Sequence, residues 1–163
     1  MAKALSNPEK PIVTLTDQVL EQGKSASRIS PRLRIMQPIQ RDQNAQVQRL
    51  LNFLQPGTYI HPHRHPLAHA TESILLINGL LDVLIFSPEG QIEQRYRLTP
   101  SQPLIDLEPG IWHTIIPQAP DTVIFEVKNG PYNPETDKDF ARWAPKEGSQ
   151  EVDSYLQKIT ELD

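Results

Sequence analysis

Residues 57–79 read GTYIHPHRHPLAHATESILLING and contain four of the five histidines in the chain. Side chains on a β-strand alternate between its two faces, so His63 and His65 are expected to point the same way. Two imidazoles at this spacing can bind one cation from the same side of a strand. Glu72 begins the apolar run that follows, where it can return a carboxylate to the same place.

The fifth histidine, His113, lies far downstream in the stretch EPGIWHTI and can complete this set. A histidine-rich site with one carboxylate suits zinc, iron, manganese, nickel or copper. A lone histidine in an apolar setting is more often an ordinary core or surface residue, and an HxH pattern alone is weak for the same reason. The combination of HxH, a glutamate and a distant histidine after a Pro-Gly turn favours one divalent transition metal. Gathering so many imidazoles in an apolar interior without a metal would be costly.

Short apolar runs follow one another on both sides of this stretch, separated by proline- and glycine-rich turns. The chain has 163 residues and 16 prolines, and prolines inside a segment disfavour long helices. Strands at this regular spacing, with no helix between them, predict an antiparallel closed or two-sheet all-β domain. The predicted strands are residues 47–54, 58–61, 72–77, 81–86, 92–98, 104–107, 112–116 and 122–127.

Helices are predicted only near the two ends of the chain. Thr16 can cap a short helix over residues 16–26. A second helix is predicted over residues 150–162, after Ser149, and its apolar side chains recur at helical spacing. We expect that stripe to pack against the wall of the β-structure: Val152, Tyr155, Leu156, Ile159 and Leu162. Between the strands and this helix, residues 132–143 are polar and are predicted to form a flap that caps the mouth or closes a sheet edge.

Composition excludes several classes of function. Without cysteine there are no disulfides, thiolate zinc sites, iron–sulfur clusters or cysteine nucleophiles, and this fits a cytoplasmic protein. The net charge of −4 comes without a basic block for nucleic acid, and no apolar run is long enough for a membrane span or a signal peptide. The local cluster Arg28, Arg32 and Arg34 is interpreted as solvated surface or as a site for a small anion.

The pattern in residues 57–79 is similar to the first cupin motif: Gly57, five residues, His63-Arg64-His65, Glu72, six residues and Gly79. Residues 109–113, PGIWH, look like the second motif. The resemblance implies a single cupin (double-stranded β-helix or jelly-roll) barrel over residues 30–130, with an N-terminal extension and helix at 1–29 and a C-terminal flap and helix at 131–163. The metal ligands that it implies are His63, His65, Glu72 and His113.

The loop before Glu72 holds six residues where three or four are usual. It contains His69, which, like His61, stays open as a replacement ligand.

A narrower resemblance covers roughly residues 30–148. The stretches SPRLR, VQRLLNFLQPGTYIHPHRHP, WHTI, EVKNGPYNP and DFARWAPKEG look like the WbuC-type cupin metalloproteins, which are often associated with bacterial surface-polysaccharide loci. This resemblance implies a sugar or sugar nucleotide as the small-molecule partner. Resemblance to cupins also implies a homodimer paired through sheet edges.

Two further side chains are candidates for proton transfer. Glu126 alternates with Phe125 and Val127, and if it faces the interior it is a second carboxylate near the metal. A salt bridge at the rim of the barrel is the alternative for Glu126. Tyr59 is in phase with the ligands and could contact a substrate, the alternative being a buried tyrosine that is satisfied by backbone.

We therefore predict a metal-dependent enzyme, an isomerase, epimerase or dioxygenase, acting on a small polar molecule. A non-catalytic module that binds a small ligand and a protein with a purely structural metal are the alternatives.

Overall fold

The computed structural model describes residues 4–161 and shows two facing five-stranded sheets with a helix near each end of the chain. The elements in chain order are α1 (Asp17–Arg28), β1 (Arg34–Pro38), β2 (Val47–Leu54), β3 (His63–Arg64), β4 (Glu72–Asn78), β5 (Leu81–Phe86), β6 (Ile92–Leu98), β7 (Leu104–Leu107), β8 (Trp112–Pro117), β9 (Thr122–Asn129), β10 (Asp139–Phe140) and α2 (Val152–Glu161). The expected all-β jelly roll with two terminal helices is confirmed, and its barrel takes the form of two facing sheets.

All pairings between the named strands are antiparallel. The first sheet has the order β1-β2-β9-β4-β7, and the second has the order β10-β3-β8-β5-β6. Strands from both sheets contribute the main apolar core, which lies between them. Because β3 and β8 are neighbours in the second sheet and β4 belongs to the first, the histidines at β3 and β8 face Glu72 of β4 across this interior.

Alternation along each strand separates the interior from the outer layers. On β5, Val83 joins the core between the sheets while Leu84 packs outward against α2. On β9, Ile124 lies in the same core while Val123 belongs to the cluster beneath α1. Glu126 is two residues beyond Ile124, so it shares the inward face.

Each helix covers the outer face of one sheet. Helix α1 begins after Thr16, whose hydroxyl oxygen accepts a hydrogen bond from the Val19 amide at 3.3 Å. Gly23 lets this helix approach the first sheet, since a Cβ there would lie 2.2 Å from Cζ of Phe53.

Helix α2 packs on the second sheet through the predicted stripe, including Ile159, while Leu162 lies outside the described residues. Within residues 4–161, neither helix is long and apolar enough to cross a membrane.

The strand predictions fail mainly around residues 58–61. No strand forms there, and pairing begins only at β3, because Pro62 cannot donate to a ladder and the chain turns at Pro56-Gly57. The strands β1 and β10 were not predicted. Both lie next to prolines or polar residues and gain their order from long-range partners, β2 for β1 and β3 for β10.

Candidate metal centre

Four side chains from the two sheets converge in the interior at one end of the core. Within the described residues 4–161, the group that could hold a metal is His63, His65, Glu72 and His113, with ligand atoms no more than 4.8 Å apart. His63 and His113 are direct cross-strand partners, which places their ring centroids 4.5 Å apart. All four side chains are buried. The structure thus brings together the complete ligand set that the sequence predicts.

Each of the three imidazoles is oriented through its Nδ1 atom by a backbone carbonyl. His63 Nδ1 lies 3.0 Å from the His61 oxygen, and His113 Nδ1 lies 2.9 Å from the Ile111 oxygen. His65 Nδ1 lies 2.6 Å from the Asp137 oxygen. A carbonyl oxygen can only accept, so all three Nδ1 atoms carry the proton and donate. The neutral tautomer then leaves a lone pair on each Nε2, which is the form that binds a metal.

The Nε2 atoms face the carboxylate of Glu72. Its Oε2 atom lies 3.1 Å from His113 Nε2 and 3.4 Å from His65 Nε2. Lone pairs facing a carboxylate repel one another unless an imidazole takes up a second proton or a cation lies between them. His65 Nε2 is also buried without a hydrogen-bond partner, which is unusual for a buried polar atom and is explained if this atom binds a metal.

Distances and protonation both fit a divalent ion. Ligand atoms about 2.0–2.2 Å from one ion lie at most about 4.4 Å apart, so the observed limit requires only small side-chain adjustments. Burial, with the nearby charges of Lys138 and His113, keeps the pKa of His63 well below its usual range, so this imidazole stays neutral. Burial alone would raise the pKa of Glu72, but hydrogen bonds that require a second proton on His113 and His65 hold that pKa well below the ordinary value, and a bound cation would take the place of those protons. A neutral imidazole and an ionised carboxylate are the forms that ligate a metal.

The two histidines left open as replacement ligands lie outside this group. His61 lines the adjoining cavity, but its Nε2 atom donates to the Ala141 carbonyl at 2.9 Å and its ring stacks on Phe140. His69 is exposed in the six-residue loop. The long loop is therefore accommodated on the surface without supplying a ligand atom to the cluster.

A cavity of about 180 Å³ adjoins the cluster between the sheets. His63, Glu72 and His113 form one part of its lining, together with apolar side chains such as Ile74 and Ile115. Drug-sized ligands occupy pockets of about 300–1,000 Å³, so this cavity suits a smaller molecule or one moiety of a larger one.

Glu126 lines this cavity, as its inward position on β9 requires. Burial raises its pKa to about 7, with a further contribution from the charge of Glu72, while Lys138, Lys128 and a hydrogen bond from Asn52 act in the opposite direction. A carboxyl group with a pKa near 7 can both accept and release a proton at neutral pH. The alternative of a salt bridge at the rim does not describe Glu126, which has no ion pair among those of the described residues.

Tyr59 occupies a different place from the one its strand phase predicted. Its hydroxyl donates to the Pro145 carbonyl at 2.7 Å, and the side chain is buried outside the cavity lining. Burial also raises its pKa above the ordinary value. The alternative prediction, a buried tyrosine satisfied by backbone, describes this arrangement, because the irregular chain after Gly57 breaks the strand phase on which the catalytic prediction relied.

Sequence reasoning missed Lys138, which reaches the cavity from the predicted flap. Its neighbours explain the position: Asp137 offers its carbonyl to His65, and Asp139 pairs with Arg64 at 3.0 Å beside β3. The Arg64 guanidinium in turn lies 4.8 Å from the centre of the Trp112 ring, on the side away from the ligands. The flap therefore both closes the sheet edge and contributes to the cavity wall.

Two arginines of the predicted cluster also line the cavity. Arg32 and Arg34 share the carboxylate of Glu147, at 2.6 Å and 2.8 Å respectively. Arg34 is buried and donates further to Thr58 and the Tyr59 carbonyl, and burial lowers its pKa to about 10. Arg28 pairs separately with Asp121 on the surface. The three arginines therefore do not form one site, because Arg28 is on the surface while Arg32 and Arg34 line the cavity and share one glutamate.

Comparisons with known proteins support the family and the fold. Residues 15–98 match the model of a family described as a domain of unknown function (DUF6016). No curated protein matches the sequence at a significant level.

Among solved structures, oxalate oxidase in complex with the substrate analogue glycolate has a TM-score of 0.55 at 16% identity, over 83% of this chain and 69% of that chain. Protein SO0799 from Shewanella oneidensis has a TM-score of 0.53 at 15% identity, over 64% of this chain and 72% of that chain. CapF in complex with the inhibitor 3-isopropenyl-tropolone has a TM-score of 0.50 at 21% identity. That match covers 57% of this chain and 27% of CapF, so the chain spans about a quarter of CapF. At these identities the similarities show the fold alone, a jelly roll of the cupin type.

Proposed function

Because the chain belongs to the family described as a domain of unknown function (DUF6016) and has a cupin fold, we propose that it is a metal-dependent enzyme acting on a small polar molecule. One observation carries the proposal. Three imidazoles donate their Nδ1 protons to backbone carbonyls, so their Nε2 lone pairs converge on the Glu72 carboxylate. Such a donor set is suited to one divalent transition metal.

The residues that would hold the metal are His63, His65, Glu72 and His113. A divalent metal bound there would polarise a carbonyl or hydroxyl oxygen of the substrate. Glu126 faces the same cavity and, with a pKa of about 7, would take up or return a proton at a substrate carbon or hydroxyl. Isomerases and epimerases need this pairing of oxygen polarisation with a mobile proton.

The proposed substrate class is a sugar or the sugar moiety of a sugar nucleotide. Support comes from the sequence resemblance to WbuC-type cupins, and CapF, which shares the fold, is itself a capsular polysaccharide assembling protein. A cavity of about 180 Å³ is small beside the usual pocket range of about 300–1,000 Å³, so a nucleotide moiety would extend outside it.

The first experiment is elemental analysis of protein purified without chelators. We expect about one transition metal per chain in the wild type and in His69→Ala, whose side chain is exposed, and a loss of metal in His113→Ala. Metal content that is equal in both variants would remove the His/Glu cluster from the proposal.

The second experiment follows proton transfer by NMR. Keto sugars, sugar acids and nucleotide sugars are incubated in D₂O with the metal-loaded protein, and deuterium incorporation at carbon is measured. We expect exchange in the wild type and its loss in Glu126→Gln, with metal content retained. Exchange that persists in Glu126→Gln would exclude this residue as the base. Ligand binding without exchange would indicate a non-catalytic binding module, and oxygen uptake with a candidate substrate would indicate a dioxygenase.

A further inference from the structure

Lys138 stands out among the charged side chains that line the cavity. Its side chain lines the cavity from the flap and is partly exposed. Within residues 4–161, its ammonium group forms none of the hydrogen bonds or of the ion pairs within 4.0 Å. A cation enclosed by protein in this way requires a hydrogen-bond acceptor from water or from a ligand.

The neighbouring charges are already committed to other partners. Asp137 binds Lys128 through both carboxylate oxygens at 2.6 Å. Glu147 is held by Arg32 and Arg34, and Glu72 faces the histidines of the metal cluster. Lys138 is therefore the cation of the cavity lining that is left for a bound molecule.

The burial of the Lys138 ammonium group also favours a role in binding an anion. Burial lowers the pKa of its ammonium group, and the charge of Lys128 adds to this effect. The charges of Glu72, Glu126 and Asp137 offset part of this effect, but the pKa stays below its ordinary value. An anion placed beside Lys138 would favour its charged form and supply the acceptor that the protein lacks.

We propose that Lys138 binds the anionic group of the ligand, so that the molecule recognised is a small carboxylate or phosphate with a second oxygen donor for the metal. The inference rests on the proposed function and narrows its substrate class to acidic or phosphorylated sugars. A carboxylate and a phosphate present the same chemistry to an ammonium group, namely a charged oxygen acceptor. The anion that binds with the higher affinity is the preferred ligand class.

The test is calorimetric titration of zinc-loaded protein with malonate, inorganic phosphate and, as a neutral probe, erythritol. Because Lys138→Met removes a hydrogen bond between charged groups, it should weaken anion binding roughly tenfold or more. Lys158→Met, which removes an exposed lysine of α2, should bind the anions like the wild type. Lys138→Arg should recover part of the affinity, since it restores the charge, and erythritol should not distinguish the variants.

Equal anion affinity in the wild type and Lys138→Met, or no anion binding by the wild type, would overturn the inference. Metal content, measured on the same samples, separates this failure from failure of the proposed function. If the wild type holds no metal, phosphate titration of the metal-free protein tests the role of Lys138 by itself. Binding that is lost in Lys138→Met then sustains the role of Lys138 without the metal.

Discussion

Replacing Glu126 with glutamine should make the metal-free protein more stable at alkaline pH and leave it nearly unchanged at acidic pH. Burial and the charge of Glu72 raise the pKa of Glu126 from 4.5 to about 7. A carboxyl with a higher pKa in the folded than in the unfolded chain binds more protons when folded, so its contribution to stability falls as the pH rises. The loss begins near the unfolded pKa and is complete above the folded one. Glutamine keeps the shape of the side chain and does not titrate.

The magnitude follows from the two pKa values. Raising the pKa of a carboxyl from 4.5 to about 7 costs about 3 kcal/mol at a pH above both values. Glu126 keeps part of its surface toward the cavity, and solvent screening there reduces the expected cost to about 2 kcal/mol. At pH 5 the same linkage leaves less than about 1 kcal/mol. The difference in unfolding free energy between Glu126→Gln and the wild type should thus grow by between about 1 and 2 kcal/mol from pH 5 to pH 8.

Urea denaturation in the presence of a chelator measures this difference at each pH. The matched control is Glu93→Gln, which changes an exposed glutamate of β6 and should shift the stability equally at every pH. Adding the metal should reduce the difference, because a cation near Glu126 favours its charged form. A difference between Glu126→Gln and the wild type that stays constant from pH 5 to pH 8 would refute the reasoning.

Three further predictions concern stability and the metal. Chelation should lower the melting temperature by roughly 5–10 °C relative to protein with metal at about 100 times its dissociation constant, as calorimetry would show; an unchanged temperature would contradict metal binding to the folded state. Gly23→Ala should lower the unfolding free energy by about 1–3 kcal/mol, because the new Cβ meets the Phe53 ring at 2.2 Å, and an unchanged urea midpoint would contradict this. Lys128→Met leaves the Asp137 carboxylate unpaired and should weaken zinc affinity about tenfold in a chelator competition, since the Asp137 carbonyl orients His65; unaltered affinity would show that this carbonyl is held independently.

The parts of the fold that could be predicted from the sequence are those specified by local pattern. The strands β2, β5, β6 and β7 have the bounds that alternation and turn residues indicate. Helix α1 begins after its capping threonine, as the local chemistry requires. The four residues of the candidate metal cluster could also be named in advance, the His63 and His65 pair from strand alternation and the full set from the resemblance to the cupin motifs.

The parts that could not be predicted depend on contacts between distant segments. Lys138 lies in a polar stretch without periodicity, and only the pairing of β10 with β3 brings it to the cavity. Glu147 reaches Arg32 and Arg34 across more than a hundred residues of sequence. Tyr59 shows the reverse case, since a local phase argument failed where Pro56-Gly57 and Pro62 interrupt the strand.

In the proposed function, the flap would couple the candidate metal cluster to ligand recognition. Asp137 fixes His65 through its carbonyl, and Lys138, the next residue, lines the cavity. An imidazole that moves to ligate a metal therefore acts on the same short piece of backbone that positions the ammonium group. A metal would strengthen anion binding in two ways, by offering a coordination position and by fixing Lys138 through His65. If the proposed role of Lys138 holds, ligand selectivity is to be sought in this short segment of the flap.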